Sequence, residues 1–327
     1  MPNVSSDEKG PLMSPVFFDA AYVRKNLSYQ VCIEAVRDGM KALSAGTTRQ
    51  LLRSMISMGE RRTFGIMPGA LGEDDYFGAK LIAVFPAGGV RRAHRGVVVL
   101  FEPKDGYPVC VSDAEEITRI RTAAASAVAT DVLARSDAAT LLVMGTGHQC
   151  FDHVRAISKV RDLQSVVIWG RSEETAKDVA LQLAQETGLP ISATSDAEAA
   201  ASEADIICTV TGASQPILFG SWVRPGTHVN VVGSSGPGPV EIDNDLVLKS
   251  RFVADSRASV LAQGAEFLVA KQAGLIGDEH VVAEIGDVLL GKIQGRSSPR
   301  DITIYKSLGH AVQDLAAVAM LYQQSIA

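Results

Sequence analysis

The sequence predicts an α/β protein that combines a Rossmann-type, doubly wound parallel sheet with a second, discontinuous α+β domain. Three observations carry this prediction: a strand, glycine turn and helix in mid-chain, regular strand–helix alternation after it, and short punctuated strands before it. With 327 residues the chain is long enough for two domains, each with its own core. We place the cofactor-binding domain at 123–301 and the other domain at 1–122 with 302–327.

The section before residue 113 is predicted to be α+β with an antiparallel sheet. Ser28 is a suitable N-cap for a helix over 28–43, and Gly46 follows the end of that helix. The apolar pattern then shortens to strand length, and Gly, Pro and Asp punctuate it. The predicted strands are residues 63–67, 78–85, 96–102 and 108–111.

The next section alternates strands with helices. Asp113 is a suitable N-cap for a long helix ending near Arg135, and Glu116 completes a capping box. Continuous apolar strands that alternate with helices indicate a parallel sheet covered on both faces. The last segment, 301–309 with an Ala-rich helix, breaks the alternation and is expected to pack back on the first domain. Strands are predicted at 141–144, 165–169, 191–194, 205–211, 228–232 and 252–255, with helices at 173–186 and 196–201 among them.

The glycine turn in mid-chain predicts a dinucleotide site. A buried strand at 141–144 is broken by Gly145-x-Gly147, and apolar residues return at helical spacing over 151–160. The first glycine permits the tight turn, and the second lets the backbone approach phosphate at the helix N-terminus. Cys150 stands at the third position of the motif, where Gly or Ala is usual. The predicted cofactor-binding residues are Gly145, Thr146, Gly147, His148 and Gln149, with Thr211 at the end of a later strand.

The end of the second strand indicates which dinucleotide binds. Sites that prefer NAD place Asp or Glu there, to accept hydrogen bonds from the ribose hydroxyls. Here Gly170 occupies that place, and Arg171 and Ser172 follow, suited to hold a 2′-phosphate. Arg171 also fits an ordinary exposed helix start, but that interpretation does not restore the missing acid. The sequence therefore favours NADPH, with NADH a weaker cofactor.

Three basic residues of the first section occupy positions that favour burial. Lys80 interrupts an apolar strand, and Arg53 follows two leucines at the start of a strand. Arg121 falls on the same helical face as Ile117 and Val128. A buried cation is costly unless it is paired. A salt bridge explains any one of them, whereas three together indicate a carboxylate pocket, in which Arg binds with two parallel hydrogen bonds.

Composition excludes several classes of protein. The net charge of −6 is spread without long runs, which argues against nucleic acid as a main partner. The four cysteines lie far apart without metal-ligand spacing, so neither a disulfide framework nor a zinc site is expected, and reduced thiols suit a cytoplasmic location. The first fifteen residues do not read as a signal peptide, and no apolar run is long enough to span a bilayer.

Seven segments match one family pattern in the same order along nearly the whole chain: 64–68, 78–80, 100–103, 117–124, 145–149, 216–226 and 306–309. Together they resemble the ornithine cyclodeaminase/mu-crystallin family, and most closely its mu-crystallin and ketimine reductase branch. The resemblance implies a homodimer whose substrate and dimerisation domain joins the N-terminal part to the final helix. It also implies that Arg53, Lys80 and Arg121 hold the substrate carboxylate.

One departure from the family pattern bears on the chemistry. Ornithine cyclodeaminases carry a segment similar to Gly-Gly-Asp-Cys-Pro-Gly after the fifth strand, and the Asp of that segment engages the substrate amine. Here the segment 233–238 reads Gly-Ser-Ser-Gly-Pro-Gly, which places Ser235 at the acid's position. Serine carries no charge at neutral pH and cannot replace a base. Ornithine cyclisation is therefore disfavoured.

We accordingly expect an NADPH-dependent reductase of cyclic ketimine carboxylates, acting on Δ1-pyrroline-2-carboxylate and Δ1-piperideine-2-carboxylate. Lys80, or a water ordered by Ser235 or His94, is expected to relay the proton. His94 equally suits a solvated basic turn, and Asp314 equally suits a structural or a functional role. Three alternatives stay open: ornithine cyclodeaminase, alanine or N-alkyl amino acid dehydrogenase, and a non-catalytic NADPH-dependent ligand-binding protein.

Overall fold

A seven-stranded sheet occupies the first part of the structure. The computed structural model describes residues 14–60, 62–86 and 92–327, and only the backbone of residues 86 and 92–94. The strands are β1 (Val16–Phe18), β2 (Arg49–Gln50), β3 (Ser54–Ser57), β4 (Thr63–Ala70), β5 (Phe77–Pro86), β6 (Arg92–Phe101) and β7 (Pro108–Asp113). They run in the order β1-β7-β6-β5-β4-β2, with β3 also paired to β4. All pairs are antiparallel except β1 with β7, so the predicted antiparallel sheet is present.

Three helices accompany this sheet: α1 (Ala20–Asn26), α2 (Tyr29–Ala45) and α3 (Ala114–Leu133). Ser28 caps α2, and Asp113 caps α3 by accepting the Glu116 N–H at 2.7 Å, as the sequence predicts. The Glu116 carboxylate instead pairs with Arg24 and Arg119, so the predicted capping box is wrong. Most of α3 is buried, because it lies between this sheet and the second one.

The second sheet has eight parallel strands: β8 (Thr140–Met144), β9 (Ser165–Trp169), β10 (Ile191–Thr194), β11 (Ile206–Thr209), β12 (His228–Val231), β13 (Ser250–Ala254), β14 (Val281–Glu284) and β15 (Ile302–Lys306). Between them lie the helices α4 (His148–Ile157), α5 (Glu173–Thr187), α6 (Ala197–Glu203), α7 (Asn244–Lys249), α8 (Arg257–Gln263), α9 (Ala265–Gln272) and α10 (Ile285–Leu289).

The strand order β10-β9-β8-β11-β12-β15-β13-β14 is the doubly wound arrangement, and it confirms the predicted fold class. The order reverses between β8 and β11, so a crevice opens at their carboxyl ends, where such folds bind ligands. One prediction is corrected: β15 (302–306) lies inside this sheet between β12 and β13, and not in the first domain. Its five residues are all buried, which only a central strand allows.

The chain ends in helix α11 (Ala311–Ile326), which packs on α2, α3 and the first sheet, as expected for the Ala-rich segment. Its residues 311–319 are all buried, because sheet and helices surround it. The inner face of the first sheet is the face that α3 and α11 cover. Strand β15 and helix α11 therefore bring the carboxyl edge of the second sheet beside this inner face. No helix in the described ranges is both long and apolar enough to cross a membrane.

Candidate active site

The glycine turn lies at the point where the strand order reverses. Gly145 has φ +134°, and a Cβ there would lie 3.0 Å from the Val210 carbonyl oxygen, so only glycine fits without strain. Gly147 is the N-cap of α4, and its Cβ position is open, with nothing within 4 Å. The first N–H groups of α4 have no acceptor within the helix. The turn therefore fits the pyrophosphate of a dinucleotide.

The side chains of this turn have different surroundings. His148 is exposed, at the place where it can flank a phosphate. The Gln149 side chain is directed at α3, where its Nε2 donates to the Arg119 carbonyl at 3.4 Å. Cys150 is fully buried with Val154 in the core beneath α4. The thiol thus takes part in packing helix on sheet, the role that the third glycine of the motif serves elsewhere.

The end of β9 leaves no room for an acidic side chain. A Cβ at Gly170 would lie 2.7 Å from the Cγ2 of Thr146, so any larger residue must displace that threonine. Arg171 is exposed and forms no ion pair within the described ranges. Ser172 is the N-cap of α5, and its hydroxyl accepts the Thr175 N–H at 3.2 Å. Gly170 therefore stands without an acidic side chain at the end of β9, where sites that prefer NAD place one.

A buried carboxylate joins the two loops that follow β11 and β12. Glu241 accepts hydrogen bonds from the backbone N–H groups of Thr211 and Gly233, both at 2.7 Å, and from the Thr211 hydroxyl at 2.7 Å. Burial raises the pKa of this carboxyl, and the donated hydrogen bonds oppose the increase. Thr211, a predicted cofactor residue, is thereby held at the carboxyl edge of the sheet.

Lys80 and Arg121 meet at one carboxylate on the inner face of the first sheet. The Lys80 Nζ lies 3.0 Å from Oδ1 of Asp314, and the Arg121 Nε donates to the same oxygen at 3.0 Å. Lys80 also donates to the Thr118 hydroxyl at 2.5 Å, and Arg121 donates to Gln313 at 2.9 Å. The predicted burial of both cations is confirmed, because Lys80 is 3% exposed and Arg121 5%.

This cluster holds more positive than negative charge. Asp314 supplies one carboxylate for two buried cations, and Arg53 stands near enough to lower the pKa of Lys80 further. Burial is the main cause that lowers the pKa of Lys80 to about 8, against the opposing effect of Asp314. Burial likewise lowers the pKa of Arg53. Two buried cations for one carboxylate leave an uncompensated positive charge, which is costly to bury and which an anionic ligand would offset.

Arg53 extends from the segment between β2 and β3 to the carboxyl edge of the second sheet. Its Nη2 donates to the backbone carbonyl of Ser235 and, at 3.3 Å, to that of Leu308. Gly309 has φ +82°, and a Cβ there would lie 2.7 Å from Nη1 of Arg121. The two guanidinium groups therefore contact adjacent residues of the turn between β15 and α11.

The structure brings together Arg53, Lys80, Arg121 and the loop of Ser235, as the sequence predicts. The side chain of His94 lies outside the described residues, so its place at the pocket stays a prediction. Sequence reasoning left the role of Asp314 undecided, although it is the single charged residue of α11, which was a signal for it. It missed Glu241, because only the folded loops show what that carboxylate binds.

Comparison with known proteins identifies the family of this chain. A family model described as the ornithine cyclodeaminase/mu-crystallin family matches residues 13–327. Δ1-Pyrroline-2-carboxylate reductase from Bacillus cereus is 32% identical over 298 residues, which cover 90% of this chain and 91% of that protein.

Two solved structures have the same fold. Δ1-Pyrroline-2-carboxylate reductase from Thermococcus litoralis, in complex with NADH and L-proline, superposes with a TM-score of 0.90 at 28% identity, covering 95% and 97% of the chains. An archaeal alanine dehydrogenase dimer with bound NAD superposes with a TM-score of 0.89 at 29% identity, covering 96% and 97%. The resemblance found in the sequence is confirmed, and the chain belongs to the ornithine cyclodeaminase/mu-crystallin family.

Proposed function

We propose that the protein is an NADPH-dependent reductase of cyclic ketimine carboxylates. It reduces Δ1-pyrroline-2-carboxylate to L-proline and Δ1-piperideine-2-carboxylate to L-pipecolate. The observation that carries the proposal is the buried cluster of Lys80, Arg121 and Asp314, with Arg53 joining it to the carboxyl edge of the second sheet. The relatives named Δ1-pyrroline-2-carboxylate reductase support the reaction class.

The substrate carboxylate supplies the anion that the cluster lacks. Arg53 and Arg121 can each bind a carboxylate through paired N–H groups, and Lys80 adds a point charge. Anchoring the carboxylate in this way fixes the adjacent C=N carbon, and such positioning provides much of catalysis.

Bound NADPH supplies a hydride to the carbon of the C=N bond. The nitrogen of the imine must gain one proton, because the product is an amine. Lys80, with a pKa of about 8, is an ammonium group that can release a proton near neutral pH. Asp314 stabilises that ammonium form at 3.0 Å. Ser235 and His94 are the other predicted members of this relay, through an ordered water.

Two features support this reaction over the alternatives. The position of the cyclodeaminase acid is held by Ser235, whose backbone carbonyl accepts from Arg53, so no carboxylate is offered there to a substrate amine. The intact cation cluster favours catalysis over ligand binding alone. The alanine dehydrogenase neighbour keeps reductive amination as the second candidate, because the same fold serves it.

The preference for NADPH rests on the end of β9. Gly170 packs against Thr146 where an acid would stand, and the exposed Arg171 beside the N-terminus of α5 is suited to a phosphate. The Ser172 hydroxyl already caps this helix and can share one further hydrogen bond. We expect a lower KM for NADPH than for NADH, measured with one imine substrate.

A homodimer is proposed through the outer face of the first sheet. Most side chains on this face are apolar and several are exposed, among them Phe17, Ile56, Phe77 and Phe85. An apolar patch of this kind marks an interface, and one structural relative is a dimer. Phe85→Glu should yield a monomer in light scattering, whereas Leu248→Glu, at an exposed site on α7, should not. A monomeric wild type would contradict the proposal.

The function is tested by following NADPH oxidation with a panel of substrates. The cyclic imines are compared with pyruvate plus ammonia and pyruvate plus methylamine. Turnover of a cyclic imine supports the reductase, and turnover only with pyruvate and an amine supports the dehydrogenase. NADPH binding without turnover of any substrate would support a binding protein.

The expected cytoplasmic location stays a prediction, based on four free, buried thiols.

A further inference from the structure

Another buried carboxylate, Asp255, belongs to the second sheet and lies near enough to Arg53 to affect its pKa. Asp255 follows β13, and its side chain is completely buried. Its Oδ2 accepts the backbone N–H groups of Leu308 and Gly309, at 2.5 and 2.8 Å. Its Oδ1 accepts the N–H of Ser256 at 2.8 Å. The carboxylate therefore fixes the turn that connects β15 to α11.

This turn is the surface on which the two arginines rest. The Leu308 carbonyl accepts from Arg53 at 3.3 Å, and the guanidinium of Arg121 lies against Gly309. The next residue, His310, places its Nε2 3.1 Å from Oδ1 of Asp255, without the alignment of a hydrogen bond. One carboxylate of the cofactor-binding sheet thus holds the turn that both arginines contact.

The His310 ring adds a link to the strand that precedes Arg53. Its Nδ1 lies 2.7 Å from the Gln50 Nε2, while the Gln50 Oε1 accepts the Val312 N–H at 3.3 Å. In this arrangement the Gln50 amide binds Nδ1, and Nε2 is the ring nitrogen that faces Asp255. Burial alone would raise the pKa of Asp255, but His310 and the backbone donors hold it below its usual value.

We propose that Asp255 is a positioning residue for substrate: by holding residues 308–310, it sets Arg53 and Arg121 in the geometry that binds a carboxylate. The inference rests on the proposed function, because it assumes that these arginines bind the substrate carboxylate. It predicts that Asp255 affects binding of the acid far more than binding of NADPH.

Asp205 provides a matched control at the opposite edge of the sheet. Its Oδ2 also accepts two backbone N–H groups, from Ala139 and Thr140 at 3.0 and 3.1 Å, and its Oδ1 pairs with Arg135 and Arg224. Asp205→Asn and Asp255→Asn therefore remove similar buried charges. Only Asp255 lies beside the cation cluster.

The test uses full-length protein saturated with NADPH, and two planar probes, pyrrole-2-carboxylate and its uncharged carboxamide. We expect wild type to bind the acid more tightly than the amide. In Asp255→Asn this ratio of affinities should fall about tenfold, which lies within the range of coupling energies between residues in contact. Its affinity for NADPH should change by no more than about twofold. Asp205→Asn should lower the melting temperature and leave the acid preference unchanged.

An acid preference that survives Asp255→Asn would overturn the inference, as would an equal loss in both Asn variants. If Asp255→Asn does not fold, His310→Asn carries the test, because Asn keeps a good N-cap for α11 and removes the imidazole. That variant should lose part of the acid preference, and an unchanged preference would overturn the inference. Equal binding of acid and amide by wild type would instead contradict the proposed function itself.

Discussion

The pH dependence of the reaction follows from the surroundings of Lys80. In the proposed function its ammonium form attracts the substrate carboxylate and donates a proton, and burial lowers the pKa of Lys80 to about 8. As pH rises through this value Lys80 loses its charge. We therefore expect kcat/KM, which reports the free enzyme, to fall about tenfold per pH unit above it.

The pH above which kcat/KM falls is the break in the pH profile, and removing the charge of Asp314 should move this break to lower pH. Asp314 raises the pKa of Lys80 from a distance of 3.0 Å, and an opposite charge at such a distance shifts a pKa by about 1 to 3 units. In Asp314→Asn the break should therefore fall to about pH 7 or below. Each unit corresponds to about 1.4 kcal/mol of lost stabilisation of the ammonium.

The assay is the initial rate of NADPH oxidation with Δ1-pyrroline-2-carboxylate, measured for each variant from about pH 6 to about pH 10. Lys80→Arg is the control, because a guanidinium keeps its charge throughout this range. Its profile should lack the break near pH 8, even if its rate is lower. A break that persists unchanged in Lys80→Arg would refute the reasoning, since it would belong to the substrate or to another group.

Three further predictions concern the cofactor and the turn after β15. Arg171→Ala should raise the KM for NADPH by about tenfold and leave the KM for NADH nearly unchanged, as measured by steady-state kinetics. Gly170→Asp alone should weaken both cofactors because Thr146 blocks the new side chain, and adding Thr146→Gly should restore NADH binding in titrations of protein fluorescence. Gly309→Ala should raise the KM for the imine by about tenfold or more, with NADPH affinity retained, because φ +82° and the nearby guanidinium of Arg121 exclude a Cβ.

Features with a local signature could be predicted from the sequence. The spacing of four, three and four residues on α3 placed Arg121 with apolar neighbours, and the residue is buried. The glycine turn and the absence of an acid at Gly170 are equally local, because they depend on neighbouring residues along the chain. The periodicity of apolar residues and the residue preferences of turns were enough to predict these features.

Features that depend on distant pairings could not be predicted in this way. Asp314 meets Lys80 across 234 residues and Arg121 across 193, through the packing of α11 on the first sheet and α3. The position of β15 inside the second sheet was also missed, since strand order is set by crossovers and not by the composition of a strand. Cys150 looked anomalous only until its burial beneath α4 was known.

In the proposed function, Arg53, Lys80 and Arg121 bind the carboxylate of a cyclic imine for reduction. The most direct measurement is the steady-state kinetics of NADPH oxidation with Δ1-pyrroline-2-carboxylate for wild type and Arg121→Ala, together with the Kd for NADPH. The proposed function predicts turnover by wild type and, in the variant, a loss of about a hundredfold or more in kcat/KM, with the Kd for NADPH nearly unchanged. Absence of turnover by wild type, or an equal loss of NADPH binding in the variant, would contradict it.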